Sequence, residues 1–198
     1  MRKLIIVFSL LLVGCTGISH KEETLPQLPP HIILQNEVGE RVGMAVPIKE
    51  NIFVTADHLR EKYGDLYWQE KELEVLARDF DDNLLFLVNE SWQGQNGVWS
   101  SMPPAVGEEI FWSNPSREGD ANISQEQVQS IAQKITEQEQ TGKRIIISGT
   151  AELPNSGAPV FGRKGQIFGI IIGADKTKNE SYAVRGDIIV NILLEHLE

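Results

Sequence analysis

Asn51-Ile52-Phe53-Val54-Thr55-Ala56-Asp57-His58 describes a short strand, rich in β-branched residues, that delivers a histidine at its C-terminal end. Before it, Ile32-Ile33-Leu34 and Arg41 to Ile48 have the same character, separated by turn signals at Gly39 and Lys49-Glu50. After it, Leu59 to Gln69 has room for a helical turn. Lys71 to Arg78 alternates, with Leu73, Val75 and Ala77 on one face, and Leu84 to Val88 is a continuous apolar run of the kind found in strands buried on both faces. Pro103, Pro104 and Gly107 mark a break near residues 100–107. Beyond it, Glu108 to Trp112, Arg144 to Ser148, Val160-Phe161, Gln166 to Ile172 and Tyr182 to Val184 repeat the strand pattern. Ile188 to Leu197 predicts a closing amphipathic helix. Between Ser124 and Gln140, Val128, Ile131, Ala132 and Ile135 have helical spacing while the flanking strands argue for a strand, so both assignments stay open. Many short strands, frequent turn signals and a late helix predict an all-β barrel or sandwich.

The chain has 198 residues, 41% hydrophobic and 23% charged, which suits one domain or two small subdomains sharing a cleft. A net charge of −10 without a Lys/Arg cluster excludes the electrostatic footprint of a nucleic-acid binder. A single cysteine excludes a disulfide framework and any Cys-based metal site. His20, His31 and His196 are isolated and read as surface residues, so neither a metal nor a cofactor is expected.

The N-terminus reads as an export signal. Met1-Arg2-Lys3 is a positive start, and Leu4 to Val13 is an apolar run too short to span a bilayer of about 30 Å. The run ends in Leu12-Val13-Gly14-Cys15, which resembles the lipobox of bacterial lipoproteins, in which the cysteine is lipidated and becomes the new N-terminus. That resemblance implies a signal peptide over 1–14, a lipid anchor on Cys15 and a place in the cell envelope. Thr16 after the cysteine implies the outer membrane, facing the periplasm, in an organism that has one. Residues 15–31, polar and carrying Pro26, Pro29 and Pro30, read as a flexible tether to a globular part over 32–198.

A second segment carries chemistry. Leu153-Pro154-Asn155-Ser156-Gly157-Ala158-Pro159-Val160 is a tight turn bearing a serine, followed by a strand. Together Thr55-Ala56-Asp57-His58 and Asn155-Ser156-Gly157-Ala158-Pro159 resemble the T-[AN]-x-H and N-S-G-[GA]-P motifs of the trypsin-like serine peptidases of the HtrA (Deg) branch. Ala77-Arg78-Asp79-Phe80 with Asn83 to Leu87, Val106 to Ile110 with Ser113-Asn114-Pro115, Gly165 to Ile170, and Ser181 to Val184 resemble further segments of that family in the same order. The resemblance covers most of Ile32 to Glu198 and leaves no room after it for the PDZ module that often follows. It implies two antiparallel β-barrels of the chymotrypsin/trypsin type with a groove between them, closed by a short C-terminal helix. It also implies acyl transfer on a polypeptide: Ser156 as nucleophile, His58 as base, an acidic third member, and backbone N–H groups beside Ser156 as oxyanion donors.

Two positions depart from that pattern. Aligned on the following apolar strand, the family's aspartate falls on Asn83. Asp82 is the preferred third member if the turn holds an extra residue, with Asn83 and Asp79 as alternatives. The family's glycine two residues before the serine is Pro154 here, which has no N–H to donate. The Ser156 N–H remains, and a turn one residue shorter would let Leu153 or Asn155 supply a second donor. Two function classes follow: a lipid-anchored serine endopeptidase, or a peptidase-like module that binds peptides or a partner in the cleft.

Overall fold

The strand bearing Thr55, β3 (Ile52–Ala56), lies between β2 (Arg41–Lys49) and β7 (Leu84–Val88), antiparallel to both. This is the setting its apolar, β-branched composition suits, since a central strand is covered on both sides. We describe the chain from a computed structural model that covers residues 26–114, 129–138, 143–152 and 154–197. Around β3 the sheet extends through β1 (Ile32–Gln35), β4 (Tyr67–Trp68), β5 (Lys71–Glu72) and β6 (Glu74–Asp79) in the order β5-β4-β1-β2-β3-β7-β6. A second set closes into a barrel in the order β10-β13-β12-β11-β8-β9. Its strands are β8 (Glu109–Asn114), β9 (Gln129–Gln138), β10 (Arg144–Ser148), β11 (Pro159–Phe161), β12 (Ile167–Asp175) and β13 (Glu180–Arg185). Two short helices complete the chain, α1 (His58–Tyr63) after β3 and α2 (Gly186–Leu197) after β13.

The all-β expectation, the two antiparallel units and the closing helix all hold. The ambiguous segment contains a strand, β9, paired with β8 and β10. The alternation of Lys71 to Arg78 is not one strand, because Leu73 turns fully inward and its N–H donates to the Leu66 carbonyl at 2.8 Å, separating β5 from β6. The first unit curls without pairing its end strands β5 and β6, so it is a curled sheet beside a closed barrel.

The two units share their packing. Leu84, Leu85, Phe86 and Leu87 are all fully buried, as the unbroken apolar run of β7 requires. They lie in one core with Ile167, Ile170, Ile172 and Val184 of the barrel and Ile189 and Leu193 of α2. Burying a Leu or Phe side chain stabilises by about 1.5–3 kcal/mol, so this shared core ties the two units to each other. His31 departs from the surface reading: it is buried, and its Nδ1 bonds the Pro29 carbonyl at 2.9 Å. Burial pushes its pKa below the ordinary imidazole value. The N–H of Gln27 also donates to the Arg163 carbonyl at 3.1 Å, so contact with the folded body begins ahead of Ile32. Residues 1–25, with Cys15 and His20, lie outside the described residues, as do Pro115, Val128 and Leu153.

Candidate active site

His58 is where it is because β3 ends against the first residue of a helix. Asp57 starts α1 without capping it by its side chain. Its buried carboxylate instead takes a bidentate pair of hydrogen bonds from Arg78 of β6, at 2.7 and 2.8 Å. A fork of this kind is the strong form of ion pair, and it ties the first turn of α1 to the sheet edge. The Asp57 N–H donates to the backbone carbonyl of Asn83 at 3.0 Å, and the His58 N–H to the Asn83 side-chain Oδ1 at 2.9 Å. The imidazole is thereby delivered to the groove.

Ser156 is held from the other side. Its carbonyl accepts from the Met44 N–H of β2 at 2.8 Å, and the next residue, Gly157, donates to the Ile171 carbonyl of β12 at 2.7 Å. Gly43 lets the chains approach: a Cβ there would collide with Leu59 of α1 and with the Ser156 carbonyl. The result is a bond between His58 Nε2 and Ser156 Oγ of 3.0 Å, across 98 positions of sequence. Nucleophile and base types therefore meet within hydrogen-bond reach. Burial is the largest influence on His58 and lowers its pKa.

The third position corrects the preference for Asp82. Asn83, and neither aspartate, faces the imidazole: its Nδ2 lies 3.0 Å from His58 Nδ1 and 3.1 Å from the Ile172 carbonyl. The turn between β6 and β7 explains why. Asp79 Oδ1 accepts from the Asp82 N–H at 2.8 Å, the Asx-type bond of a tight turn, and Asn83 takes a left-handed φ of 57° just before β7 begins. That turn points Asn83 to the groove and sends Asp82 away from it. Asp82 is buried, and its Oδ2 accepts from Lys143 Nζ at 2.7 Å. The pair bridges the turn to the start of β10, and Asp82 raises the pKa of Lys143.

At the oxyanion position, the Asn155 N–H does not fill the place left by Pro154. It donates to the Glu152 carbonyl at 2.7 Å. The Ser156 N–H has no hydrogen-bond partner among the described residues. Beside the pair lies a cleft of about 310 Å³, lined by His58, Ser156, Ala151, Ile171, Gly173 and Ala174, with Lys62, Glu152 and Lys176. Lys176 pairs with Glu152 at 3.4 Å. Among the described residues no group of three or more His, Cys, Asp or Glu side chains is gathered as a metal ion needs. Arg78, Met44, Gly43 and Lys143 were not legible as site residues, because each acts through a partner distant in sequence.

The fold that carries this pair, a curled antiparallel sheet beside a closed antiparallel barrel, is shared with solved structures. The inactive form of the Rv3671c protease from M. tuberculosis superposes with a TM-score of 0.65 at 16% identity, covering 84% of this chain and 88% of that one. The chain has the fold of the trypsin-like serine proteases. A serine endoprotease from Yersinia pestis superposes with a TM-score of 0.69 at 14% identity, over 85% of this chain and 62% of that one. The HtrA-type protease AlgW, solved with a tripeptide, gives 0.68 at 15% identity, over 87% and 62%. No family model and no curated protein matches the sequence. At such identities the likeness establishes the trypsin-like fold, and the chemistry of this chain rests on its own residues.

Proposed function

We propose that the protein is a serine endopeptidase that acts on extended polypeptide in the bacterial cell envelope, anchored by lipid on Cys15. The observation that carries this reading is the 3.0 Å bond between His58 Nε2 and Ser156 Oγ at the wall of an open cleft. In the reaction Ser156 Oγ bonds to the scissile carbonyl carbon while its proton passes to His58 Nε2. The proton then goes to the leaving amine as the C–N bond breaks, and water hydrolyses the acyl-enzyme by the same steps in reverse roles. The Ser156 N–H is the backbone donor left for the oxyanion. A peptide ligand suits the cleft, as AlgW was solved with a tripeptide and with a decapeptide.

A fluorophosphonate probe tests the reading. Wild type takes the probe at one serine, and Ser156→Ala takes none. A wild type that never labels, yet still binds peptide in this cleft, favours the second reading, a peptide-binding module. That alternative has its own support in Pro154, which lacks a donor, and in the Asn155 N–H turned to Glu152. The anchor is tested separately. Cys15→Ser abolishes processing or releases the protein from membranes, and a variant processed and fractionated like wild type defeats the lipoprotein assignment.

A further inference from the structure

We propose that Asn83 is a positioning residue that holds His58 in its Nε2–H tautomer, so that the resting site is a latent peptidase whose base faces Ser156 with a proton instead of a lone pair. This rests on the reading of His58 and Ser156 as base and nucleophile.

The argument starts from backbone groups whose character cannot change. The His58 N–H can only donate, and it meets one end of the Asn83 amide at 2.9 Å. The Ile172 carbonyl can only accept, and it meets the other end at 3.1 Å. These two contacts fix the amide: oxygen toward the α1 N-terminus, nitrogen toward β12. Turning it over would set NH₂ against N–H and C=O against C=O, losing both bonds for two repulsive contacts. The nitrogen so fixed lies 3.0 Å from His58 Nδ1. One of its hydrogens serves Ile172 and the other points at the ring, so Nδ1 must present a lone pair.

A neutral imidazole with its lone pair at Nδ1 carries its proton at Nε2. Nε2 is the atom 3.0 Å from Ser156 Oγ, so the resting bond runs from Nε2–H to the hydroxyl oxygen. Acylation needs the opposite arrangement, because the proton leaving Oγ must find a lone pair at Nε2. An aspartate in the same place would accept from Nδ1–H and free Nε2. The Asp→Asn exchange at this position of a serine triad acts through the wrong tautomer, with the geometry intact. The Ile172 carbonyl is built to face a donor, which suits an amide and opposes a carboxylate. The register of β12 shifts between Ile171 and Gly173, next to that carbonyl, which is where the backbone would yield to an aspartate.

The first experiment reads the tautomer without mutation of Asn83. In protein labelled with ¹⁵N-histidine, at a pH above the His58 titration, the His58 Nδ1 resonance is pyridine-type and Nε2 pyrrole-type, with the signals assigned by their loss in His58→Gln. A protonated Nδ1 overturns the proposal. The second is Asn83→Asp, checked for folding by its near-ultraviolet circular dichroism. It exchanges the two ring resonances and raises the rate of fluorophosphonate labelling at Ser156 at least tenfold. A folded Asn83→Asp that labels no faster than wild type overturns the latency. If Nδ1 is pyridine-type in wild type but neither protein ever labels, the tautomer assignment stands and the peptidase reading fails.

Discussion

Replacing Pro154 by glycine raises the rate of acylation of Ser156 about 10- to 10³-fold, the usual worth of one oxyanion donor. Proline leaves the tetrahedral oxygen facing a position with no N–H. The neighbouring Asn155 N–H is committed to the Glu152 carbonyl at 2.7 Å and cannot compensate. Glycine restores the missing donor. It also frees the backbone at this position of a φ fixed at about −65°. The accompanying loss of stability is small, about 0.4–1 kcal/mol from the greater freedom of the unfolded chain. Single-turnover labelling of wild type and Pro154→Gly at equal probe concentration measures the gain. Equal rates in two folded proteins would show that the oxyanion is served by another group, and that Pro154 does not limit the site. The gain is distinct from that of Asn83→Asp, which acts on the base. The double variant tests this, though members of one catalytic unit need not combine additively.

Gly157→Ala lowers stability by about 2–5 kcal/mol, from about 1–2 for a left-handed residue with a Cβ and about 1–3 for overpacking. Gly157 has φ of 80°, and a Cβ on it would run into the Met44 carbonyl oxygen and the Thr55 hydroxyl. Both atoms are already engaged with each other, Thr55 Oγ1 donating to the Met44 carbonyl at 2.6 Å in the buried floor of the site. The collision is therefore with backbone that cannot step aside. Because Met44 also holds the Ser156 carbonyl, the same change displaces the nucleophile. Gly39→Ala is the control, since its φ of 81° carries the same backbone penalty with nothing within 4 Å of the added carbon. Urea unfolding of the three proteins separates the two contributions. A Gly157→Ala midpoint no lower than that of Gly39→Ala would refute the close approach of the serine turn to β2.

Much of the fold follows from patterns that act over a few residues. The β-branched run ending at His58 and the uninterrupted apolar run of β7 are strands in the structure where period and composition place them. The α1 turn and the closing helix α2 were legible on the same grounds. His58 and Ser156 were legible because each sits at the end of a local element, a strand end and a tight turn, whose form its neighbours set. Their meeting was an expectation from resemblance, and the fold makes it physical through the Met44 and Gly43 contacts.

The sequence by itself determined strands with a strong local pattern such as β3 and β7, the closing helix, the missing donor at Pro154 and the two residue types that face each other. Only the tertiary structure decided between Asp82 and Asn83, because adjacent turn residues point opposite ways and the left-handed φ of Asn83 chooses which faces the groove. It also decided that Asp82 serves Lys143, 61 positions away, and that Asn83 reaches the Ile172 carbonyl, 89 positions away. Such pairings depend on how one sheet lies against the other. No local periodicity encodes that distance, and the core shared by β7, β12 and α2 is what sets it.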